Sequence, residues 1–390
     1  MALTLFNERP PAGRDLTKNN AEDAMALTLP AVVEPFTIPD TMRSAVLFGP
    51  QDIRVIDRPV PQPGPGEVLV QVAMCGTCGT DLKIYDGHFP LTLPYGAFTP
   101  GHEWTGTVVV LGETVDEFVV GDRVCIEAHH GCGRCDNCLI GKYTACLHYG
   151  NAAKGHRATG MTADGGFAEY VLHHVSSLYK MPAQVSFPNA VLITTAGTGL
   201  YGLDAAGGYI VGYDIAIFGP GPVGLMTVQA CKQLGAARVI LVGTRPRRLE
   251  MGRRLGADYL INVHEQDPVT AIQELTGGAG VDLAIECSGA LETPQQCVQV
   301  TKRGGKMLVV AFYAQPVTLN LSAVVRSDIT IYTTRGEGGN NVKRAVSLAA
   351  QGRMRGADLV THEFPLEEIA EAFRVMRQRI DDPIKIVIVP

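Results

Sequence analysis

Six short apolar runs separated by segments with helical periodicity constrain the fold of this chain more than any other feature. They are Ile215 to Phe218, Val239 to Val242, Tyr259 to Val263, Asp282 to Ile285, Met307 to Val310 and Ile329 to Tyr332. Strands that alternate with helices pair in parallel. The sequence therefore predicts an α/β unit with a doubly wound parallel sheet.

Residues 42 to 196 have a different pattern, with short β-rich runs between turns rich in proline and glycine. Examples are Val68 to Val72 and Thr107 to Leu111, and the pattern predicts a compact, barrel-like β unit. After the α/β unit come a helix with Ile369 and Phe373 on its apolar face and a strand from Ile384 to Val389. We expect both to rejoin the β unit.

Four cysteines lie in one glycine-rich loop with the spacing Cys132-x2-Cys135-x2-Cys138-x7-Cys146. Four thiolates can converge tetrahedrally on one ion and leave no position open, which predicts a structural zinc site. An iron–sulfur cluster, for which the last spacing is unusual, and free buried cysteines are alternatives. A nucleic-acid-binding zinc ribbon is a third, but the net charge of -6 and the lack of a neighbouring basic helix argue against it.

A second candidate metal site combines Cys78 with His102 and Glu103, about two dozen residues later. One thiolate, one imidazole and one carboxylate suit a catalytic zinc with water or substrate in the fourth position. A single histidine on a β-rich segment is more often a core or surface residue. Its pairing with the cysteine-rich segment Met74 to Asp81 favours the metal interpretation.

The segment Gly219-Pro-Gly-Pro-Val-Gly224 follows the first strand of the α/β unit and opens a helix. This is the context that a dinucleotide-binding turn requires. Its glycines permit a tight turn and the close approach of a pyrophosphate to the helix N-terminus. The sequence therefore predicts a dinucleotide cofactor.

The second strand ends at Gly243, where an NAD-preferring protein normally has an acid that binds the ribose hydroxyls. Next comes Thr244-Arg-Pro-Arg-Arg248 at the start of a helix, where cations oppose the helix dipole unless an anion binds there. The 2′-phosphate of NADP is such an anion, so the sequence favours NADP over NAD. Arginines on a solvated helix end are the alternative.

Together these segments resemble the zinc-dependent medium-chain dehydrogenase/reductase family, which includes alcohol, sorbitol and threonine dehydrogenases. The resemblance covers almost everything after residue 40. It implies a GroES-like β-rich catalytic domain plus a Rossmann coenzyme domain, and Cys78 and His102 as ligands of a catalytic zinc. It also implies that Thr80 passes the substrate proton towards solvent and that Arg335 lies near the substrate. With the glycine turn, the expected cofactor contacts are Thr198, Gly219, Gly221, Pro222, Val223, Gly224, Gly243, Thr244, Arg245, Cys287 and Val310.

Two positions depart from the family pattern. Many members have Cys, Asp or Glu where this chain has Thr194, and threonine is a poor zinc ligand. We therefore expect Glu103 to be the third protein ligand, as in sorbitol-dehydrogenase-like members; the alternative is a carboxylate that orients the site without touching the metal. Lys83 stands where related enzymes often have a histidine that ends the proton relay, so the relay path is open, and a solvated lysine is the simplest explanation.

The expected organisation is a flexible N-terminal extension at residues 1–40, a catalytic domain at 41–196 and 336–390, and a coenzyme domain at 197–335. The N-terminal residues lack the apolar core of a secretory signal, and no window is apolar enough for a membrane span. We expect a cytoplasmic homodimer or homotetramer without nucleic-acid or membrane partners.

The predicted function is hydride transfer between a secondary alcohol or polyol and NADP or NAD, with two zinc ions per chain. A threonine or simple-alcohol dehydrogenase is an alternative within the family. A quinone or enoyl reductase on the same fold would need neither zinc site. A non-catalytic sensor that binds zinc and NADPH is the alternative from another functional class.

Overall fold

The computed structural model describes residues 36–89 and 93–390. The predicted N-terminal extension therefore lies outside the described residues except for its last five positions. No helix in the described ranges has the length and apolar character that crossing a membrane requires.

The first part of the described chain is mostly β-structure. Its elements are β1 (Thr41–Gly49), β2 (Asp52–Pro59), β3 (Glu67–Gly76), α1 (Gly79–Tyr85), β4 (Glu103–Leu111), β5 (Arg123–Ile126), β6 (His129–His130), α2 (Asp136–Leu139), β7 (Arg157–Ala158), β8 (Tyr170–His174), β9 (Leu178–Lys180), α3 (Phe187–Ala190) and α4 (Ile193–Ala205).

Strands and helices then alternate, as the apolar runs predicted. The elements are β10 (Asp214–Phe218), α5 (Pro222–Gln233), β11 (Arg238–Gly243), α6 (Pro246–Arg254), β12 (Tyr259–Asn262), α7 (Pro268–Leu275), β13 (Val281–Glu286), α8 (Thr293–Val300), β14 (Thr301–Val309), α9 (Leu321–Arg326) and β15 (Thr330–Thr333). The last elements are α10 (Asn341–Ala350), β16 (Val360–Pro365), α11 (Ile369–Gln378) and β17 (Lys385–Val389).

The six strands β10 to β15 form one parallel sheet in the order β12-β11-β10-β13-β14-β15, which confirms the predicted doubly wound fold. Successive side chains on a strand point to opposite faces. Ile215 and Ile217 of β10 accordingly pack into one hydrophobic cluster, and Ala216 and Phe218 into another. The strand order reverses between β10 and β13, so a ligand crevice is expected at the carboxyl ends of these strands.

The larger β-sheet has the order β16-β17-β3-β4-β5-β9, with β8 also paired to β3. The end of β3 lies between two other strands, because Gly76 is opposite both Glu103 at the start of β4 and Val387 on β17. The final strand of the chain is therefore separated by one strand, β3, from the segment that carries His102 and Glu103.

Helix α4 runs across the predicted domain boundary at residues 196 and 197. It packs against α5 of the α/β unit and against α10. Thr194 and Thr195 lie in its first turn and Thr198 lies one turn later. The helix contacts β5 of the β-rich sheet and β14 and β15 of the parallel sheet.

Candidate metal and cofactor sites

Cys78, His102 and Glu103 come together beside the junction of β3 and β4. Cys78 is the residue immediately before α1, and Glu103 is the first residue of β4. One sulfur, one ring nitrogen and one carboxylate oxygen from these residues lie within 4.8 Å of one another. Zinc binds such donors at about 2.0–2.3 Å, so an ion fits between atoms at this separation. The donor set therefore suits a catalytic zinc ion.

Asp81 contacts both Cys78 and His102. One carboxylate oxygen accepts a hydrogen bond from the Cys78 backbone N–H at 2.8 Å, and the other lies 3.1 Å from His102 Nδ1. Burial works to lower the pKa of His102, but Asp81 and Cys78 raise it well above its usual range. A carboxylate on Nδ1 fixes the ring so that Nε2 is left for a metal.

Glu103 is held by two further side chains. Thr195 Oγ1 donates a hydrogen bond of 2.9 Å to Glu103 Oε1, and buried Lys385 forms an ion pair with the same carboxylate. Lys385 Nζ also donates to the Thr77 carbonyl oxygen at 3.0 Å. Burial works against the ammonium charge, but Glu103 raises the pKa of Lys385 above its ordinary value.

Thr194 and Lys83, the two positions that depart from the family pattern, contact groups outside the metal cluster. Thr194 Oγ1 donates to the Ile126 carbonyl oxygen at 2.8 Å, so its hydroxyl is used by the backbone. Thr80 is half-buried in the first turn of α1, two residues after Cys78. The Lys83 ammonium lies 5.4 Å from the centre of the Phe312 ring, which belongs to the segment after β14.

The four cysteines of the glycine-rich loop form a second cluster. The sulfur atoms of Cys132, Cys135, Cys138 and Cys146 all lie within 4.8 Å of one another, and all are free thiols. The pairs Cys132–Cys138 and Cys135–Cys146 are 3.9 Å apart. A tetrahedral zinc site with Zn–S distances of about 2.3 Å has S–S edges of about 3.8 Å. The four sulfur atoms therefore fit a closed zinc site.

The glycine turn has the geometry of a dinucleotide-binding loop. Gly219 has φ +108°, and a Cβ there would lie 2.7 Å from the Ser288 backbone. A Cβ on Gly224 would lie 2.0 Å from the Gly219 carbonyl oxygen. Gly221 caps α5, with Pro222 and Val223 as its first residues. The backbone N–H groups of this turn are thus available to a pyrophosphate.

The same turn leaves no room for a side chain at Gly243. A Cβ at this position would lie 2.5 Å from two ring carbons of Pro220. An acidic residue could not occupy Gly243 without moving the glycine turn. The arginines that follow are partly paired, since Arg245 and Arg248 both contact Asp382 and Arg247 donates to the Asp381 carbonyl oxygen at 2.9 Å.

The segment after β13 is ordered by Glu286, which is fully buried. Its Oε1 accepts hydrogen bonds from the backbone N–H groups of Ser288 and Gly289 at 2.8 and 3.1 Å, and Tyr313 donates to Oε2 at 2.5 Å. This fixes the segment that contains the predicted cofactor contact Cys287. The Val310 N–H donates to the Glu286 carbonyl oxygen at 3.0 Å, which places Val310 beside it.

A polar cluster lies one helical turn along α4 from Thr195, the residue that donates to Glu103. Thr198 Oγ1 donates to Glu337 Oε1 at 3.3 Å, and Glu337 Oε2 lies 3.7 Å from His129 Nδ1. Thr195 and Thr198 are three residues apart, so their Cβ atoms are about 5–6 Å apart. The cluster is therefore close to the thiolate, imidazole and carboxylate set.

Three side chains around the ring of Tyr149 each have a buried polar atom without a hydrogen-bond partner among the described residues: His129 Nδ1, His156 Nε2 and Arg335 Nη2. The Gly150 N–H donates to His156 Nδ1 at 3.0 Å, so in the neutral ring Nε2 carries the proton and is a buried donor. The Arg335 guanidinium lies over the ring of Tyr149 at 4.5 Å. Unpaired buried polar atoms are unfavourable unless water or a ligand meets them.

Several residues that build these sites were not predicted from the sequence: Asp81, Thr195, Glu286, Glu337 and Lys385. Asp81 had a local signal, because an acid three residues after a helix N-cap is typical of a capping box. Lys385 is a charge within an otherwise apolar strand, which is also unusual enough to notice. Glu286 accepts hydrogen bonds from Ser288 and Gly289, which follow it closely in sequence. Thr195 and Glu337 contact partners that only the tertiary fold brings near.

Similar proteins identify the family of this chain. The family described as "Alcohol dehydrogenase GroES-like domain" matches residues 64–183, and the one described as "Zinc-binding dehydrogenase" matches residues 222–351. A sorbitol dehydrogenase from Bacillus subtilis is 32% identical over 359 residues, 91% of this chain and 99% of that protein. An L-threonine 3-dehydrogenase from Pyrococcus horikoshii is 32% identical over 83% of this chain and 91% of that protein.

A solved structure from Sinorhizobium meliloti, a zinc-binding dehydrogenase bound to NADP, has a TM-score of 0.81 and 28% identity, and the match covers 90% of this chain and all of that one (100%). The cysteine loop lies within the first family match, at residues 64–183, and the second family match begins inside the glycine turn, at Pro222. The chain belongs to the zinc-dependent alcohol and polyol dehydrogenases of the medium-chain dehydrogenase/reductase family.

Proposed function

We propose that this protein oxidises a secondary alcohol or polyol, or reduces the corresponding ketone, with NADP favoured over NAD. The convergence of Cys78, His102 and Glu103 within 4.8 Å is the observation that carries the proposal. A thiolate, an imidazole and a carboxylate would hold a zinc ion and leave a fourth position for substrate. The four-cysteine loop would hold a second, structural zinc.

The chemistry divides between the bound groups and the chain. When bound, zinc supplies a Lewis acid for the substrate oxygen and the nicotinamide supplies the hydride acceptor. Asp81 orients His102, while Thr195 and Lys385 position the Glu103 carboxylate. We assign Glu103 as the third protein ligand, because Thr194 gives its hydroxyl to a backbone carbonyl.

Proton transfer is assigned to the first turn of α1. Thr80 follows Cys78 by two residues, so its hydroxyl can take the substrate proton and pass it outward. Lys83, one turn further along α1, lies against Phe312 where the relay would reach solvent. We propose that water completes the relay at this point.

The cofactor is assigned to the glycine turn and the arginines at the start of α6. Pro220 closes the space above Gly243 that an acidic ribose-binding residue would need, which disfavours NAD. Arg245 then faces the ribose position with positive charge, and Thr244 faces it with a neutral hydroxyl group. We place the coenzyme domain at residues 197–335 and the catalytic domain at 41–196 and 336–390, with α4 shared at their junction.

The polar cluster beyond α4 favours a substrate with more than one hydroxyl group. His129, His156 and Arg335 each offer a buried polar atom that lacks a partner among the described residues. A polyol can meet these atoms with its remaining hydroxyls, whereas a simple alcohol leaves them unpaired. This supports a polyol over a primary alcohol.

The experiment is a substrate screen on protein of measured zinc content. Polyols, secondary alcohols, primary alcohols and threonine are tested with NAD and NADP separately. The proposal expects two zinc ions per chain and the highest kcat/KM for a polyol or secondary alcohol with NADP. Turnover confined to threonine or primary alcohols would replace the substrate assignment, and no turnover by zinc- and NADPH-loaded protein would indicate a sensor.

The substitution Arg335→Met tests the polyol subsite directly. We expect a higher KM for a polyol and an unchanged KM for a secondary alcohol with one hydroxyl, because only the polyol reaches the guanidinium. Arg326→Met, at an exposed position on α9, is the matched control and should change neither. Equal effects on both alcohols would remove Arg335 from substrate recognition.

A further inference from the structure

A cavity of about 400 Å³ lies where β11 ends and α6 begins. The six described residues that line it are Thr244, Arg245, Pro246, Arg247, Arg379 and Asp382. Four come from the start of α6, and two come from the loop between α11 and β17, far away in sequence. In doubly wound folds the ribose of a dinucleotide lies at this end of the second strand.

The charges around the cavity are unequal. Among its six described lining residues, three arginines face a single carboxylate, that of Asp382. Asp382 forms an ion pair with Arg245 and accepts a hydrogen bond of 2.8 Å from Arg248 Nε, which lies behind the cavity. Arg247 and Arg379 have no carboxylate partner among the described residues, so the cavity keeps an excess of positive charge.

The loop that supplies Arg379 and Asp382 has an unusual backbone. Arg379, Asp381 and Asp382 have φ values of +57°, +56° and +51°. These values lie in the left-handed region, which residues other than glycine rarely adopt. Arginine contacts hold this conformation, since Arg247 donates to the Asp381 carbonyl oxygen at 2.9 Å and Arg248 to that of Pro383 at 2.5 Å. Strain maintained by several contacts is often associated with function.

We propose that Asp382 is an internal counter-ion of the 2′-phosphate site and that Arg379 is an additional phosphate-binding residue. The inference rests on the proposed preference for NADP. Before the cofactor binds, Asp382 holds Arg245 and Arg248 in place. When the 2′-phosphate enters the cavity, it shares Arg245 with Asp382 and gains Arg247 and Arg379.

Asp382 and Arg379 therefore change the ratio of the affinities for NADP and NAD, although the loop that carries them is not part of the parallel sheet. Asp382 repels the 2′-phosphate and so weakens its binding, while Arg379 strengthens it. A ligand without the 2′-phosphate does not reach either residue. The loop between α11 and β17 therefore changes the affinity for NADP and leaves that for NAD nearly constant.

Calorimetric titration of the full-length, zinc-loaded chain with 2′,5′-ADP and with 5′-AMP tests the inference without turnover. Asp382→Asn keeps a hydrogen-bond acceptor for the arginines but removes the charge, and should tighten 2′,5′-ADP binding by about tenfold relative to 5′-AMP. Asp381→Asn is the matched control, because the cavity lining does not include it and Arg247 contacts only its backbone oxygen. It should leave the ratio of the two affinities unchanged.

Arg379→Gln should weaken 2′,5′-ADP binding about tenfold and leave 5′-AMP binding unchanged. Arg374→Gln, which removes an exposed arginine of α11 that pairs with Glu371, is its control and should have no effect. The inference is overturned if Asp382→Asn leaves the affinity ratio at its wild-type value, or if it changes both affinities equally. If the wild type shows no preference for 2′,5′-ADP, the proposed cofactor preference fails; a preference that then emerges in Asp382→Asn would still support the role of Asp382.

Discussion

Lys385, on the last strand of the chain, forms a buried ion pair with Glu103, the first residue of β4. The two residues are 282 positions apart in sequence. Thr195 donates to the opposite oxygen of the same carboxylate at 2.9 Å. The carboxylate assigned to zinc is thus positioned by β17 and α4 together, and a positive charge already lies beside it.

This ion pair predicts that Lys385→Met lowers the free energy of unfolding by different amounts with and without zinc at the Cys78 site. In the Cys78→Ala variant no zinc is expected beside Glu103, and Lys385 is its buried ion-pair partner, so adding Lys385→Met should lower the free energy of unfolding by about 3 kcal/mol or more. In zinc-loaded wild type the loss should be smaller, because a ligated zinc also neutralises Glu103. Urea denaturation of the four proteins gives both losses.

The matched control is Lys232→Met, which removes a partly exposed pair with Asp258. It should change the free energy of unfolding by about 0–1 kcal/mol in either background. Equal losses for Lys385→Met in the two backgrounds would mean that Glu103 does not bind zinc.

The four-cysteine loop predicts a zinc ion that is separable from catalysis. Cys146→Ser should lower the zinc content by one ion per chain and lower the melting temperature, because the metal holds the loop together. Cys297→Ser, at a buried cysteine on α8, is expected to keep the full zinc content. Elemental analysis and thermal unfolding check both, and an unchanged zinc content in Cys146→Ser would exclude a structural zinc site there.

The raised pKa of Glu127 predicts that the free energy of unfolding decreases as the pH rises through the slightly acidic range. Burial, followed by the charge of Glu337, raises the pKa of Glu127 to about 7, although Tyr143 and Tyr179 donate hydrogen bonds to it. Because the folded state binds this proton more tightly than the unfolded state, the free energy of unfolding should fall between about pH 4.5 and 7. This loss amounts to about 3 kcal/mol at most.

In Glu127→Gln that contribution disappears, so the loss of stability between pH 4.5 and 7 should be smaller than in wild type. Glu363→Gln, on the exposed side of β16, should behave as wild type. Urea titrations across this pH range measure the slopes, and an unchanged slope in Glu127→Gln would show that Glu127 does not titrate there.

The contact between Gly243 and Pro220 predicts how the cofactor preference can be reversed. Gly243→Asp alone should weaken binding of both cofactors, because its Cβ would meet the proline ring at 2.5 Å. Adding Pro220→Ala and Arg245→Ala opens the space and removes positive charge, so the triple variant should prefer NADH. Dissociation constants for NADH and NADPH provide the measurement. If the triple variant retains the wild-type ratio, the arginines do not bind the 2′-phosphate.

The parallel sheet could be predicted because its evidence is local: apolar runs, helical periodicity and the glycine turn each lie within a short window. The ends of strands were less predictable, and β14 begins at Thr301 rather than near Met307. The candidate metal ligands were also recognisable from short segments. Lys385, Thr195 and Glu337 were not, because each contacts its partner through the tertiary fold.

The absence of an acid at Gly243 had a physical reason that the sequence did not reveal. A proline one position after the first glycine of the turn fills the space that a side chain would need. Likewise, the arginines after Gly243 were visible in the sequence, but Asp382, which contacts two of them, was not linked to them by any spacing.

Cys78 is assigned as a ligand of the zinc ion that activates the substrate. The most direct measurement compares zinc content and kcat/KM for Cys78→Ala with those for Cys75→Ala, a buried cysteine three residues earlier that is not part of the ligand cluster. Cys78→Ala is predicted to lose one of two zinc ions and to lower kcat/KM by about a thousandfold or more, while Cys75→Ala keeps both ions. Full activity and full zinc content in Cys78→Ala would contradict the account.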